Sequence, residues 1–150
     1  MTDVSRQHAA AVKTMIEAAV AGEAQGGRYR VYVGEVTTDE SATEYPYFVV
    51  WPPPAMRPVN TLAGNDGAAA STIQVTAAGS SVDEVLAALD RAAEALHRRR
   101  PHIPGRVCGL ISQVPGAVPP APQRDDRVNN PDGRPVFYSF ALFSLYSTAV

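Results

Sequence analysis

Residues 71–86 read STIQVTAAGSSVDEVL, a segment of alternating character followed at once by the start of a helix. Apolar side chains stand at every second position of its first part, at Ile73, Val75 and Ala77. Successive side chains of a strand point to opposite faces. The alternation therefore predicts a strand over residues 71–78 with one buried and one solvent-facing side.

The helix that follows this strand carries signals at both ends. Ser81 and Glu84 match a capping box, in which the two side chains satisfy free backbone N–H groups of the first turn. Apolar residues at helical spacing then predict a helix over residues 82–100, stopped by Pro101. In this prediction the arginines at positions 98–100 occupy the last turn, where positive charge favours the helix dipole.

Patterns on either side of this strand and helix predict the remaining elements. Apolar residues spaced three and four apart within residues 12–20 predict a first helix. Residues 28–36 predict a strand, and residues 45–51 predict another whose aromatic and β-branched side chains are covered on both faces. Residues 106–114 and 135–147 predict the last two strands.

In chain order these elements are α-β-β-β-α-β-β, which predicts an α+β fold. Strands in succession with two helices favour a mostly antiparallel sheet of about five strands, with both helices packed on one face. The length of 150 residues fits a single domain over residues 1–150. Long loops are expected near residues 52–70 and 115–134, and loops of this length are either functional or tolerated surface insertions.

The bulk composition argues against several classes of protein. A net charge of −2 gives no overall attraction to nucleic acid or to an anionic membrane. Cys108 is the only cysteine, so no disulfide can form within the chain. No apolar stretch is long enough to span a membrane, and residues 1–11 lack the apolar core of a signal peptide.

No motif of catalytic or ligand-binding chemistry occurs in the sequence. His8, His97 and His102 are scattered, and a structural or solvent-facing role fits them better than metal ligation. Cys108 lies within a predicted strand and is expected to be a buried, inert thiol. We therefore expect no catalytic, cofactor-binding or metal-binding residue, and a protein that is not an enzyme.

The surplus of large side chains on the strands indicates a subunit interface instead. Two helices barely cover one face of a five-stranded sheet, so aromatic strand residues are expected to meet another subunit. The candidate interface residues are the aromatic residues Tyr45, Tyr47 and Trp51, the arginines Arg98, Arg99 and Arg100, and the acidic pair Asp125 and Asp126. The alternative for the acidic pair is plain solvation. The alternative for the arginines is that they complement the helix dipole and contact neither an acidic surface nor DNA.

Four segments together resemble a known family in their order and character. They are the aromatic–proline strand at residues 45–52, the strand at 71–79, the capped helix at 82–100, and the Pro-Val-Phe-Tyr start of the last strand at 135–138. In this layout, which runs over almost the whole chain, the sequence resembles the tail terminator (tail completion) proteins of long-tailed bacteriophages, particularly those of actinobacterial hosts.

The resemblance implies a structural role in the virion. Such proteins form a ring, typically a hexamer, that halts polymerisation of the tail tube at its head-proximal end. The implied partners are further copies of the chain, the tail tube protein and the head–tail connector protein. DNA passes through the channel without sequence-specific binding, and no membrane or cofactor is involved. Assembly would take place in the host cytoplasm. The resemblance assigns no individual binding residues.

Two other functions stay open. One is another head–tail joining or minor tail subunit of similar fold, which the sequence does not separate from a terminator. The other is a small-molecule-binding or enzymatic α+β domain, which predicts a closed apolar pocket with a few convergent polar groups.

Overall fold

The structure is a computed structural model that describes residues 3–21, 29–36, 45–52, 55, 67–126 and 133–150. Its elements, in chain order, are α1 (Val4–Val20), β1 (Arg30–Val33), β2 (Tyr47–Trp51), β3 (Ala69–Gly79), α2 (Val82–Leu96), β4 (Arg106–Cys108), β5 (Ser112–Gln113), β6 (Gln123–Arg124) and β7 (Phe137–Ala149).

All the strands of these residues belong to one sheet. The order is β1-β2-β3-β7-β4, and the short strands β5 and β6 also pair with β7, on the edge that β3 does not occupy. Every pair is antiparallel except β1 and β2, which are parallel. The predicted α+β fold is therefore confirmed, with a mixed sheet that contains two more short strands than predicted.

The edge beside β7 is broken, where the sequence predicts one continuous strand over residues 106–114. Cys108 pairs with Ser147 and Ser112 pairs with Ser144, so four steps on this edge match three on β7. The extra residue is a β-bulge, which reverses the face to which the following side chains point.

The two predicted long loops are described only in part. Most of residues 52–70 lie outside the described residues, although Ala69 and Ala70 belong to β3. The second loop was predicted to lack structure over residues 115–134. Instead, its middle returns to the sheet as β6, and residues 127–132 lie outside the described residues.

Helix α1 begins where Asp3 caps it. The Asp3 carboxylate accepts hydrogen bonds from the backbone N–H groups of Ser5 and Arg6, at 3.0 and 3.4 Å. The predicted apolar face is confirmed in its main part, because Val12 and Ile16 are buried against the sheet.

Helix α2 begins at the predicted N-cap Ser81 and ends earlier than predicted, and the reciprocal bonds of Glu84 go to Ser80 instead of Ser81. Ser81 Oγ accepts from the Glu84 N–H at 3.2 Å, while Glu84 Oε2 accepts from the N–H and the hydroxyl of Ser80. The helix ends at Leu96. The prediction that the arginines at 98–100 form its last turn is wrong, because Arg98 adopts a φ of 58° and breaks the helical path.

Both helices pack on the same face of the sheet, as predicted. The hydrophobic core lies between the helices and the sheet and is made of alternate strand residues and the apolar faces of both helices. Its largest fully buried apolar side chains are Phe48, Phe143, Ile16, Ile73, Leu96, Ile111 and Leu145. The opposite face of the sheet therefore carries the other half of the strand side chains.

Candidate functional site

The sheet face turned away from the two helices is the main surface feature of the described residues, and we call it the open face. It is formed by alternate residues of the central strands, as the pairing register shows. Its large side chains are Tyr32, Tyr47, Val49, Trp51, Tyr138, Phe140, Leu142 and Tyr146. Trp51 and Tyr146 are 42% and 43% exposed, so this face presents large aromatic surface to solvent.

Trp51, the last residue of β2, is held in place beside Gln74 of β3. Its indole Nε1–H donates to Thr76 Oγ1 at 2.9 Å, and Gln74 Nε2 donates to the same oxygen at 3.1 Å. The polar edge of the ring is therefore satisfied within the subunit. The exposed apolar surface of the ring is oriented and available for a contact.

A cluster of tyrosines occupies one end of the open face. The Tyr47 ring lies 5.5 Å from the Tyr45 ring and 5.8 Å from the Tyr32 ring, measured between centroids. Burial raises the pKa of Tyr47 to about 12, with further contributions from Tyr45 and from the nearby carboxylate of Asp125. The structure therefore brings together three of the predicted interface residues, Tyr45, Tyr47 and Asp125.

The β4–β5 edge adds exposed apolar side chains that sequence analysis missed. Val107 is 57% exposed, and its strand partner Thr148 belongs to the open face. Leu110 is 54% exposed and lies in the bulge, next to Gly109, whose N–H donates to the Tyr146 carbonyl. In a regular strand over residues 106–114, the side chains after Cys108 would point to the opposite faces. The sequence alone therefore does not predict which side chains this edge exposes.

The predicted charged residues lie far apart. The Arg98 N–H donates to the carbonyl of Ile111, next to the pairing of Ser112 with Ser144, whereas the Asp125 N–H donates to the carbonyl of Val136. Positions 136 and 144 are separated by roughly 27 Å at 3.4 Å per strand residue. The arginine run and the acidic pair therefore do not form one site.

Asp126 is exposed and forms a surface ion pair with Arg124 at 3.4 Å. Such pairs contribute little to stability. Exposure in a single subunit is common to solvated and interface residues, so the interface role of Asp126 stays a prediction.

A buried polar network connects α1 with three strands. His8 is fully buried, with Nδ1 2.7 Å from Ser71 Oγ and Nε2 2.7 Å from Ser147 Oγ. Arg106 Nε donates to Ser147 Oγ at 2.7 Å, and its Nη2 donates to the Gly67 carbonyl at 2.6 Å. Burial, with a smaller contribution from Arg106, lowers the pKa of His8 to about 4.

The distances between His8 and the two serines are like those of a catalytic serine–histidine pair, but these residues are not accessible from solvent. Since Ser147 Oγ already accepts from Arg106, the economical arrangement has the Ser147 hydroxyl donate to Nε2 of neutral His8 and Nδ1–H donate to Ser71. All three residues are buried, so no substrate reaches them. The sequence signal that could have found this network is the pair of serines on the buried faces of β3 and β7.

Two further sequence predictions concern metal ions and the single thiol. Among the described residues, no group of three or more potential metal ligands lies together. Cys108 is buried, as predicted, and burial raises its pKa. None of the helices described is both long and apolar enough to cross a membrane.

No protein-family model matches the sequence, and no curated protein is similar enough to count as a relative. The function is therefore inferred from the open face, the exposed edge and the charged segments.

Proposed function

We propose that this chain is a structural subunit that assembles into a ring and caps the tail tube of a long-tailed bacteriophage at the end nearest the head. The observation that carries this proposal is the open face, on which Trp51 and Tyr146 are exposed beside half-buried Tyr47, Phe140 and Leu142. The layout of the sequence, which resembles that of tail terminator proteins, supports the same function.

The open face has the composition of a protein–protein interface. The core of such interfaces is rich in tyrosine, tryptophan and other apolar side chains, while its rim is polar. Around Trp51 the residues Thr72, Gln74 and Thr76 supply the polar groups. A neighbouring subunit that covers the aromatic side chains removes their apolar surface from water, at about 25 cal/mol per Å².

A closed ring needs two different patches on every subunit, because each copy contacts its neighbours through a heterologous interface. The open face is one candidate patch. The β4–β5 edge with Val107 and Leu110 extends it, and a surface elsewhere on the subunit would supply the second. A stable contact of this kind buries about 1,200–2,000 Å² in total.

The proposed mechanism is steric and involves no turnover. The ring occupies the end of the tail tube, blocks the addition of further tube subunits, and presents a surface to the head–tail connector. DNA passes through its channel. Its partners are thus further copies of this chain, the tail tube protein and the connector protein, in the virion.

The test is the mass of the protein in solution, measured by light scattering behind size exclusion over a concentration series. The wild type is expected to approach a multiple of 15.9 kDa, near six copies. Leu110→Glu should shift this equilibrium toward the monomer. The matched control is Val118→Glu, which adds the same charge at an 84% exposed apolar residue of the proline-rich segment and should assemble like the wild type.

The outcomes separate the functions left open by the sequence. Rings that bind the end of purified tail tubes support the terminator, whereas rings that bind only the head connector indicate another head–tail joining subunit. A monomer at every concentration, with or without tail tubes, would contradict the proposal and favour a small-molecule-binding domain.

A further inference from the structure

The residues that follow α2, His97 to Arg100, form an exposed run held at both ends by buried residues. Leu96 before the run and Pro101 after it are buried. In between, the Arg98 N–H donates to the Ile111 carbonyl and the Ile111 N–H donates to the Arg99 carbonyl, both at 2.7 Å. The His97 ring accepts from the Gln113 N–H at 3.3 Å, so the backbone of the run and His97 are fixed, while the side chains of Arg98, Arg99 and Arg100 are exposed.

Arg98 is strained. Its φ of 58° lies in the left-handed region, and no other non-glycine residue among those described has a positive φ. Chains that leave a helix this way usually place glycine at this position, because an L side chain there is crowded. Strained residues that persist against this preference are found at functional sites.

The arginines of the run have no acidic partner in the described part of the chain. None of the ion pairs described there involves Arg98, Arg99 or Arg100. A further positive charge lies close by, since Arg100 and Arg106 both act on the thiol of Cys108. The run is thus a local concentration of positive charge on a chain with a net charge of −2.

We propose that Arg98, Arg99 and Arg100 bind the phosphate backbone of duplex DNA without reading its sequence. A guanidinium presents paired N–H donors that match two phosphate oxygens, and backbone contacts of this kind carry no sequence information. Because the backbone is already fixed, binding orders the arginine side chains without the further entropy cost of ordering the backbone.

A nucleic acid fits the run better than an acidic protein does. Protein interfaces have an apolar core with charges at the rim, whereas residues 97–100 contain no apolar side chain. The exposed aromatic side chains Trp51 and Tyr146 belong to the open face, on the side of the sheet away from α2. Of the apolar residues assigned above to the interface, Leu110 is next to Ile111, which binds the run, and it adds a single apolar side chain there.

The test is the binding of a fluorescein-labelled DNA duplex, followed by fluorescence anisotropy over a salt series. With about 0.9 counterions released per phosphate contact, three contacts predict an affinity that falls about 40-fold between 50 and 200 mM salt. Replacing all three arginines of the run by glutamine should abolish most of the binding and this salt dependence. The matched control replaces three other exposed arginines, Arg30, Arg91 and Arg124, by glutamine and should bind like the wild type.

Three results would overturn the proposal. They are an equal loss of binding in the matched control, an affinity that does not change with salt, and displacement of the DNA by polyglutamate at the same concentration of charge. The last result would identify an acidic protein surface as the partner. Circular dichroism establishes that the variants are folded.

Arg98→Gly gives an independent readout that loss of folding cannot mimic. Glycine relieves the strain, so this variant should have a higher melting temperature and weaker DNA binding than the wild type. A lower melting temperature, or unchanged binding, would contradict the proposed role of Arg98.

The DNA site and the proposed ring fail separately. Rings without salt-dependent DNA binding would remove the site and leave the ring. Monomers that bind DNA through the arginine run would contradict the proposed ring and leave the DNA site.

Discussion

Acidification from about pH 7.5 to about pH 5 should lower the free energy of unfolding by about 2 kcal/mol through one buried side chain, His8. Its folded-state pKa is about 4, against 6.5 for an unperturbed histidine. Between these two values the unfolded chain binds a proton that the folded chain does not. The stabilisation is therefore complete above the unfolded pKa and is lost as the pH falls.

The magnitude follows from the pKa difference. At about 1.4 kcal/mol per pKa unit, the complete effect is about 3 kcal/mol, of which about 2 kcal/mol is lost by pH 5. Most carboxyl groups are still ionised at this pH. The physical cause is that protonated His8 would be a buried cation near the positive charge of Arg106. The hydrogen-bond partners of its ring, Ser71 and Ser147, are hydroxyl groups and carry no negative charge.

The assay is urea unfolding followed by circular dichroism at several pH values and constant ionic strength. His8→Gln should be less stable than the wild type near neutral pH, and its stability should change little down to pH 5. The control His102→Gln removes an exposed histidine and should keep the wild-type pH dependence. If His8→Gln does not fold, the His8 ring protons can be titrated by NMR in the wild type. The reasoning is refuted if His8 titrates near pH 6.5, or if His8→Gln loses stability as the wild type does.

Three further predictions concern single side chains. Ser81→Ala should lower the free energy of unfolding by about 1 kcal/mol, measured by urea unfolding, because it removes the N-cap of α2; an unchanged stability would contradict the capping role. Tyr47 keeps its proton up to a pKa of about 12 in the folded state, so stability should fall as the pH rises from 10 toward 12. Tyr47→Phe should lessen that fall, and an identical fall would show that another group causes it. Cys108 should react slowly with Ellman's reagent in the folded protein and rapidly in urea, because the thiol is buried; rapid reaction without urea would show that it is accessible.

Local patterns in the sequence were sufficient to predict most of the fold. The alternation at Ile73, Val75 and Ala77 marks the buried face of β3, and the Ser81 cap marks the start of α2. These features depend on neighbours in the chain, so the sequence displays them directly. The strand at residues 45–51 was predicted to be covered on both faces, and within the subunit this holds for Phe48 but not for Trp51, which is 42% exposed.

Features that depend on distant contacts were missed. The bulge at Leu110 exists because the edge strand must match β7, and its position is not encoded by a local period. The arginine run leaves the helix because Ile111 binds its backbone, a contact that the sequence does not show. In the sequence His8 has no polar partner nearby, because Ser71 and Ser147 come from two distant strands that the fold places beside it.

The sequence did not show how the candidate interface residues are arranged in the fold. Tyr45, Tyr47 and Asp125 lie together, and Trp51 shares their face of the sheet. The arginine run lies at the other end of β7 because α2 runs back along the sheet and ends there. Only the register of the strands determines which of these residues are able to act together.

The most direct test of the proposed ring is electron microscopy of the largest species that the purified protein forms, alone and with tail tubes. The proposal predicts closed rings with an axial channel, which sit on one end of the tubes and are lost in Leu110→Glu. Compact particles without a channel, which leave both tube ends free, would contradict it.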